Sequence, residues 1–220
     1  MNDALIRLDQ VTFRYGDRTV LDACDLNLHA GERLGLAGVN GSGKTTLLSL
    51  IVGLHRPQHG QVFVLGRPRR TEADFHEIRG PVGMLFQDSD DQLFSPTVAE
   101  DVAFGPFNLG RSRADVESIV ARTLAQLGMQ EYAGRVTYKL SGGEKRLVAI
   151  ATVLAMQPQV LLLDEPTAGL DEAARQRVTE ILLGLPQAML IVSHDRDFLD
   201  QTATRRTRLE RGRLLTLPAP

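Results

Sequence analysis

The chain has 220 residues, 43% hydrophobic and 24% charged, which is the balance of one ordinary globular domain and excludes a disordered segment. Lys plus Arg number 25 against 27 for Asp plus Glu, a formal net charge of −2; the basic surplus of a phosphate-reading protein is missing, and no nucleic-acid partner is expected. Cys24 is the one cysteine, which rules out an intramolecular disulfide and argues against a thiolate zinc site, and the longest nearly apolar runs, 147–156 and 181–192, fall short of the ~20 residues that cross a bilayer.

Met1-Asn2-Asp3 lack the basic and apolar regions of a signal peptide, so a soluble cytosolic subunit is expected. Ile6, Leu8, Val11, Phe13 and Tyr15 predict a strand over 6–15 with a break near Asp9. Gly16-Asp17 signals a turn, a second strand is expected over 25–29, and a third over 33–37 runs into a glycine-rich turn. A helix is expected over 45–54, with short strands over 61–65 and 82–86. From 87 to 139 strand signals vanish; helices are expected over 98–104, where Thr97 and Glu100 have capping-box spacing, and over 115–127. Then come a helix over 144–156, a strand over 159–164, a helix over 172–184, a strand over 188–193, a helix over 195–202 and a closing hairpin around Arg211-Gly212. The alternation predicts an α/β fold, a mainly parallel sheet covered on both faces. The helical stretch 87–139 reads as a subdomain inserted into a core of 1–86 and 140–220.

Gly38-Val39-Asn40-Gly41-Ser42-Gly43-Lys44-Thr45 fits G-x-x-x-x-G-K-[ST], in the strand-to-helix setting that gives the pattern meaning. Glycines let the backbone turn its N–H groups toward an anion, and the helix N-terminus adds partial positive charge. Lys44 is placed to reach β- and γ-phosphates, and the Thr45 hydroxyl to ligate Mg²⁺. Leu140-Ser141-Gly142-Gly143-Glu144 opens the helix whose Leu147, Ile150, Ala151 and Leu154 form an apolar stripe. A capping box accounts for Ser141 and Glu144; the paired glycines, costly in a first turn, fit a second place where a ligand meets backbone. Both readings stand on the residues alone.

The apolar run 160–163 ends in Asp164-Glu165-Pro166, and functional residues gather at the carboxyl ends of such strands. Asp164 is placed to hold the Mg²⁺ shell, and Glu165 to orient or deprotonate a water. His194, in Val192-Ser193-His194-Asp195, is either a γ-phosphate contact or a surface histidine; Gln87 is either a site residue or a solvated polar one. Asp171 is a good N-cap, and Tyr15 either stacks on a base or packs in its strand.

Taken in order, these motifs resemble the nucleotide-binding subunit of ABC transporters over nearly the whole chain. Tyr15 matches its aromatic loop, 38–45 its Walker A loop, Gln87 its Q-loop and 160–165 its Walker B strand. Residues 140–144 match the signature motif, with Glu144 where Gln is common; Ala168-Gly169-Leu170-Asp171 matches the D-loop, with Gly169 for a common Ala; His194 matches the switch histidine. The resemblance implies a P-loop NTPase with N-terminal antiparallel strands and an inserted helical subdomain. It implies ATP and Mg²⁺ as ligands, with Glu165, His194 and Gln87 catalytic and Thr45, Gln87 and Asp164 at the metal. Tyr15, Gly38, Asn40, Gly41, Ser42, Gly43, Lys44, Thr45, Thr46, Ser141, Gly142, Gly143, Glu144 and Asp171 are implied to bind nucleotide. It also implies a head-to-tail pair with a second ATPase subunit, identical or not, in which Ser141 and Gly143 of one chain complete the phosphate shell begun by Lys44 of the other.

The stretch 86–106, with its Asp90-Asp91-Gln92-Leu93-Phe94 core, resembles the ATPases of energy-coupling-factor importers, especially the cobalt and nickel branch. That implies metal or vitamin uptake through a substrate-binding membrane subunit and a transmembrane coupling subunit, from the cytoplasmic face of the membrane. The loop 88–94 mixes acids with Leu93 and Phe94, which suits a docking helix with an apolar face and basic residues; an exposed acidic loop is the plainer reading. The alternatives are another transporter branch, a DNA- or ribosome-acting ABC ATPase, for which the long coiled coil or second domain is absent, and a small-molecule kinase, which has no use for 140–144.

Overall fold

The computed structural model describes residues 4–217. The chain runs β1 (Ile6–Tyr15), β2 (Arg18–Leu28), β3 (Arg33–Ala37), α1 (Lys44–Ile51), β4 (His59–Val64), β5 (Arg67–Arg69), α2 (Glu72–His76), β6 (Val82–Leu85), α3 (Val98–Asn108), α4 (Arg113–Gln126), α5 (Gly142–Ala155), β7 (Val160–Asp164), α6 (Glu172–Gly184), β8 (Ala188–Val192), α7 (Arg196–Thr202), β9 (Arg205–Glu210) and β10 (Arg213–Thr216). A four-stranded antiparallel sheet has the order β2-β1-β4-β5, and a six-stranded sheet the order β10-β9-β3-β8-β7-β6. The second sheet is parallel except for the closing β9–β10 hairpin, as the α/β reading expects.

The buried strands divide their side chains by period two. Leu161, Leu163, Met189 and Ile191 face a cluster with α3 to α7. Val160, Leu162, Ala188, Leu190 and Val192 face the other way, into a cluster with α1 and the antiparallel sheet. Both faces are therefore covered, one by helices and one by a helix and a second sheet. Helix α5 is buried at Leu147, Ile150, Ala151 and Leu154 and also at Val148, Ala149 and Val153, because α3 and α4 pack on the side turned from the sheet. No strand of either sheet arises between 87 and 139 among the described residues.

β2, β5 and α2 depart from the sequence expectation, and α3 runs to Asn108, past the expected 104. β2 begins at Arg18 and not near 25, because a bulge at Ala23 (φ 46°) breaks its alternation. The break expected near Asp9 is a bulge at Gln10 (φ 49°), where the β1–β2 register shifts between Leu8 and Val11. β5 and α2, of 3 and 5 residues, are too short to show a period, although Thr71 and Asp74 form a capping box. No helix among the described residues is long and apolar enough to cross a membrane.

Adjacent parallel strands bring their carboxyl ends together. Leu36 pairs with Val192, and Asp164 with Val192, so the loops after β3, β7 and β8 emerge side by side at the N-terminus of α1. Leu162→Ala, at a fully buried position on β7, is expected to lower the unfolding free energy by about 3 kcal/mol in urea denaturation; a loss under about 1 kcal/mol would contradict this packing.

Candidate active site

The loop between β3 and α1 is shaped for an anion. Gly41 and Gly43 have φ of 75° and 108°, and a Cβ on Gly43 would lie 2.6 Å from Val20 Cγ1. Gly43 is also the N-cap of α1 and supplies no side-chain cap, so the first-turn N–H groups are left for a ligand. Lys44 is 6% exposed; its Nζ donates to Gly38 O (2.8 Å) and Val39 O (3.2 Å). Among the described residues no carboxylate lies within salt-bridge distance of it. Ser42 Oγ is buried without a hydrogen-bond partner among the described residues. A buried cation, an unpartnered hydroxyl and bare helix amides in one loop fit a polyphosphate.

The end of β7 meets this loop. Thr45 Oγ1 donates to Asp164 Oδ2 at 2.7 Å. Burial raises the Asp164 carboxyl above the usual carboxylate range, opposed by the Thr45 hydrogen bond. Glu165 adopts φ 47°, a left-handed conformation that costs energy for a residue with a side chain and that the Glu165 N–H to Val192 O bond (2.9 Å) helps hold. Its carboxylate is 7% exposed, and one oxygen, Oε2, accepts from Ser193 Oγ (3.2 Å) and His194 N (3.3 Å) and bonds His194 Nδ1 (2.9 Å).

These groups line a cleft of about 500 Å³. It brings together Tyr15, Asn40, Gly41, Gly43, Lys44, Thr45, Thr46, Gln87, Asp164, Glu165 and His194. Gly38 and Ser42 lie in the adjoining groove on the other side of the loop. Tyr15, 48% exposed, stands at the cleft edge with its ring edge-on to Phe13 (centroids 4.9 Å apart). Gln87 is held by its backbone: Arg146, 4% exposed, donates to Phe86 O (2.7 Å) and Gln87 O (2.5 Å).

Ser141, Gly142, Gly143, Glu144 and Asp171 do not line this cleft. Ser141 caps α5: its Oγ accepts from Glu144 N (3.3 Å), and its N–H donates to Glu144 Oε2 (2.7 Å); that N–H first, then the Tyr132 hydroxyl, holds the Glu144 carboxyl below its ordinary range. The two glycines differ. A Cβ on Gly143 would lie 2.8 Å from Ala174 Cβ, so packing against α6 accounts for it; a Cβ on Gly142 would meet nothing. Asp171 Oδ1 caps α6 by accepting from Ala174 N (2.8 Å).

The structure adds residues that sequence reasoning missed. Arg18 lines the cleft and donates to Gly41 O (3.2 Å), and Val20 packs under Gly43. Ser193 holds Glu165, inside a segment the sequence marks only for His194. Arg146 gave no signal, since one arginine in a helix belongs to no pattern.

Residues 21–168 match the family described as ABC transporter. The energy-coupling factor transporter ATP-binding protein EcfA of Methanothermobacter thermautotrophicus is 42% identical over 98% of this chain and 71% of its own length. Among solved structures, cbiO1 from Clostridium perfringens, part of the ABC transporter complex cbiONQ, superposes with a TM-score of 0.89 at 32% identity, covering 97% of this chain and 87% of that one. A dimeric ATP-binding cassette in a post-hydrolysis state, bound to ADP and Pi, superposes with a TM-score of 0.85 at 25% identity, covering 98% and 100%.

Arg146→Ala removes both bonds to the Phe86–Gln87 backbone. Amide exchange is expected to speed up over 87–92 while β7 and β8 stay protected; unchanged exchange over 87–92 would contradict the fastening role.

Proposed function

The chain belongs to the ABC transporter ATP-binding family and hydrolyses ATP, and we propose that it drives uptake of cobalt or nickel ions as the ATPase of an energy-coupling-factor importer. The single observation that carries the catalytic part is the cleft in which Tyr15, the 38–45 loop, Asp164, Glu165 and His194 meet. The importer part is supported by the likeness to EcfA and to cbiO1 and by the loop 88–94, where Phe94 is 65% exposed beside acidic residues and packs edge-on against half-exposed Phe104.

In this reading ATP lies with its base against Tyr15 and its phosphates on the loop amides, where Lys44 turns from two carbonyls to the β- and γ-phosphates. The donor set beside it fits Mg²⁺: a hydroxyl on Thr45, one carboxylate on Asp164, and Gln87 at the cleft wall. No group of three or more His, Cys, Asp or Glu among the described residues forms a cage of its own, as suits an ion that shares its shell with phosphates and water. Held by Thr45 and Asp164, such an ion would neutralise charge on the phosphate oxygens. Glu165 orients the attacking water and takes its proton as the water oxygen bonds the γ-phosphorus and the bond to the β-phosphate oxygen breaks, releasing ADP and phosphate. His194 and Ser193 keep the carboxylate aimed.

The α5 N-terminus acts on the nucleotide of a second ATPase subunit, identical or not. It does not line its own cleft, it keeps the N–H groups of Gly142 and Gly143 uncommitted to a cap, and the space over Gly142 is open. A second ATPase subunit packed head-to-tail brings Ser141, Gly142 and Gly143 to the γ-phosphate opposite Lys44, with Asp171 at the junction. Closure moves the helical stretch 87–139, through Gln87, against a transmembrane coupling subunit and its substrate-binding partner at the cytoplasmic face of the membrane.

Glu165→Gln is expected to keep ATP binding and to lower turnover by at least about 100-fold, the scale of a general base. Lys44→Ala abolishes ATP binding in a titration, and chelation of Mg²⁺ stops phosphate release. Turnover by Glu165→Gln equal to the wild type would overturn the catalytic assignment.

A further inference from the structure

Helix α1 handles both ends of the cleft. Its first residues are Lys44 and Thr45. At its far end Ser49 O accepts from Leu54 N (2.8 Å) and His55 N (3.4 Å), while Ser49 Oγ donates back to Thr45 O (2.8 Å). His55, half-buried, then meets the end of β1: its Nε2 and Tyr15 Oη are hydrogen-bonded at 2.9 Å. The His55 ring lies 5.2 Å from that of Phe13 and, nearly perpendicular at 86°, 5.4 Å from that of Tyr15. Gln58 grips the same strand end: Oε1 accepts from Arg14 N (2.9 Å), Nε2 donates to Arg14 O (3.2 Å), and its N–H donates to Thr12 O (3.0 Å).

An exposed tyrosine at a strand end ordinarily samples several rotamers. Tyr15 is fixed at both ends of its side chain, by Phe13 at the ring and by His55 at the hydroxyl. We propose that His55 is a positioning residue for nucleotide binding: it holds Tyr15 in place as the base platform, so that the helix carrying the phosphate ligands also sets the position of the base. This rests on reading Tyr15 as the surface on which the base stacks. Holding the ring before ATP arrives removes an ordering cost from binding, so the effect falls on affinity.

The test is a double-mutant cycle read as the Kd for ATP of the full chain. His55→Ala and Tyr15→Phe are each expected to raise Kd roughly threefold to tenfold, the range of one ordinary hydrogen bond. The double variant is expected to be no weaker than the worse single one, because each change breaks the same bond. The change appears in Kd and KM. Multiplying effects in the double variant, or a loss by His55→Ala confined to kcat, would overturn the inference. If Tyr15→Ala weakens binding while His55→Ala does not, the platform stands and the role of His55 fails. If Tyr15→Ala leaves Kd unchanged, the platform reading fails, and the inference with it.

Discussion

A buried ammonium with no carboxylate within salt-bridge distance among the described residues is the constraint around which the site is organised. Lys44 is 6% exposed, and its charge is met by two carbonyl oxygens of its own loop. Carbonyl dipoles offset only part of the cost of removing a cation from water. The remaining electrostatic demand suits an anion. Ser42 Oγ and the first amides of α1 make the same demand from the same place. The free protein thus holds a loop whose charge and free donors suit a polyphosphate.

The acidic side answers with the opposite tuning. Asp164 and Glu165 are consecutive and both buried, yet they are handled differently. Asp164 faces the Thr45 hydroxyl and carries the burial cost, which raises its pKa. Glu165 is swung aside by its left-handed backbone and gathers donors from the loop after β8. This works because β7 and β8 are neighbours in register, Asp164 opposite Val192, so Ser193 and His194 fall beside Glu165. Sheet order is what gives two adjacent carboxylates two environments.

Most of this was legible in the sequence, for identifiable reasons. The parallel strands are dense apolar runs closed by polar residues, and the loop 38–45 is a pattern whose glycines have few other uses. Short elements carried no period: β5, α2 and the bulged first half of β2 stayed hidden. Contacts between distant residues were equally invisible, as with Arg146 on the Gln87 backbone or His55 on Tyr15. Residues 140–144 show the limit most clearly. Their capping box is local and readable, and the sequence alone offers a ligand approaching the backbone as the reason for both glycines. The structure assigns Gly143 to packing against Ala174 and leaves only Gly142 facing open space.

That open helix end does not line the cleft of its own chain, which is why the proposed catalytic site is one shared between two chains. The most direct measurement is the specific ATPase activity of the wild-type protein across a dilution series, with the mass of the species determined in the same samples. A shared site predicts specific activity that rises with concentration in step with the dimer fraction and falls toward zero where only monomer is present. Constant specific activity down to fully monomeric protein would contradict it, because each chain would then hold a complete site of its own.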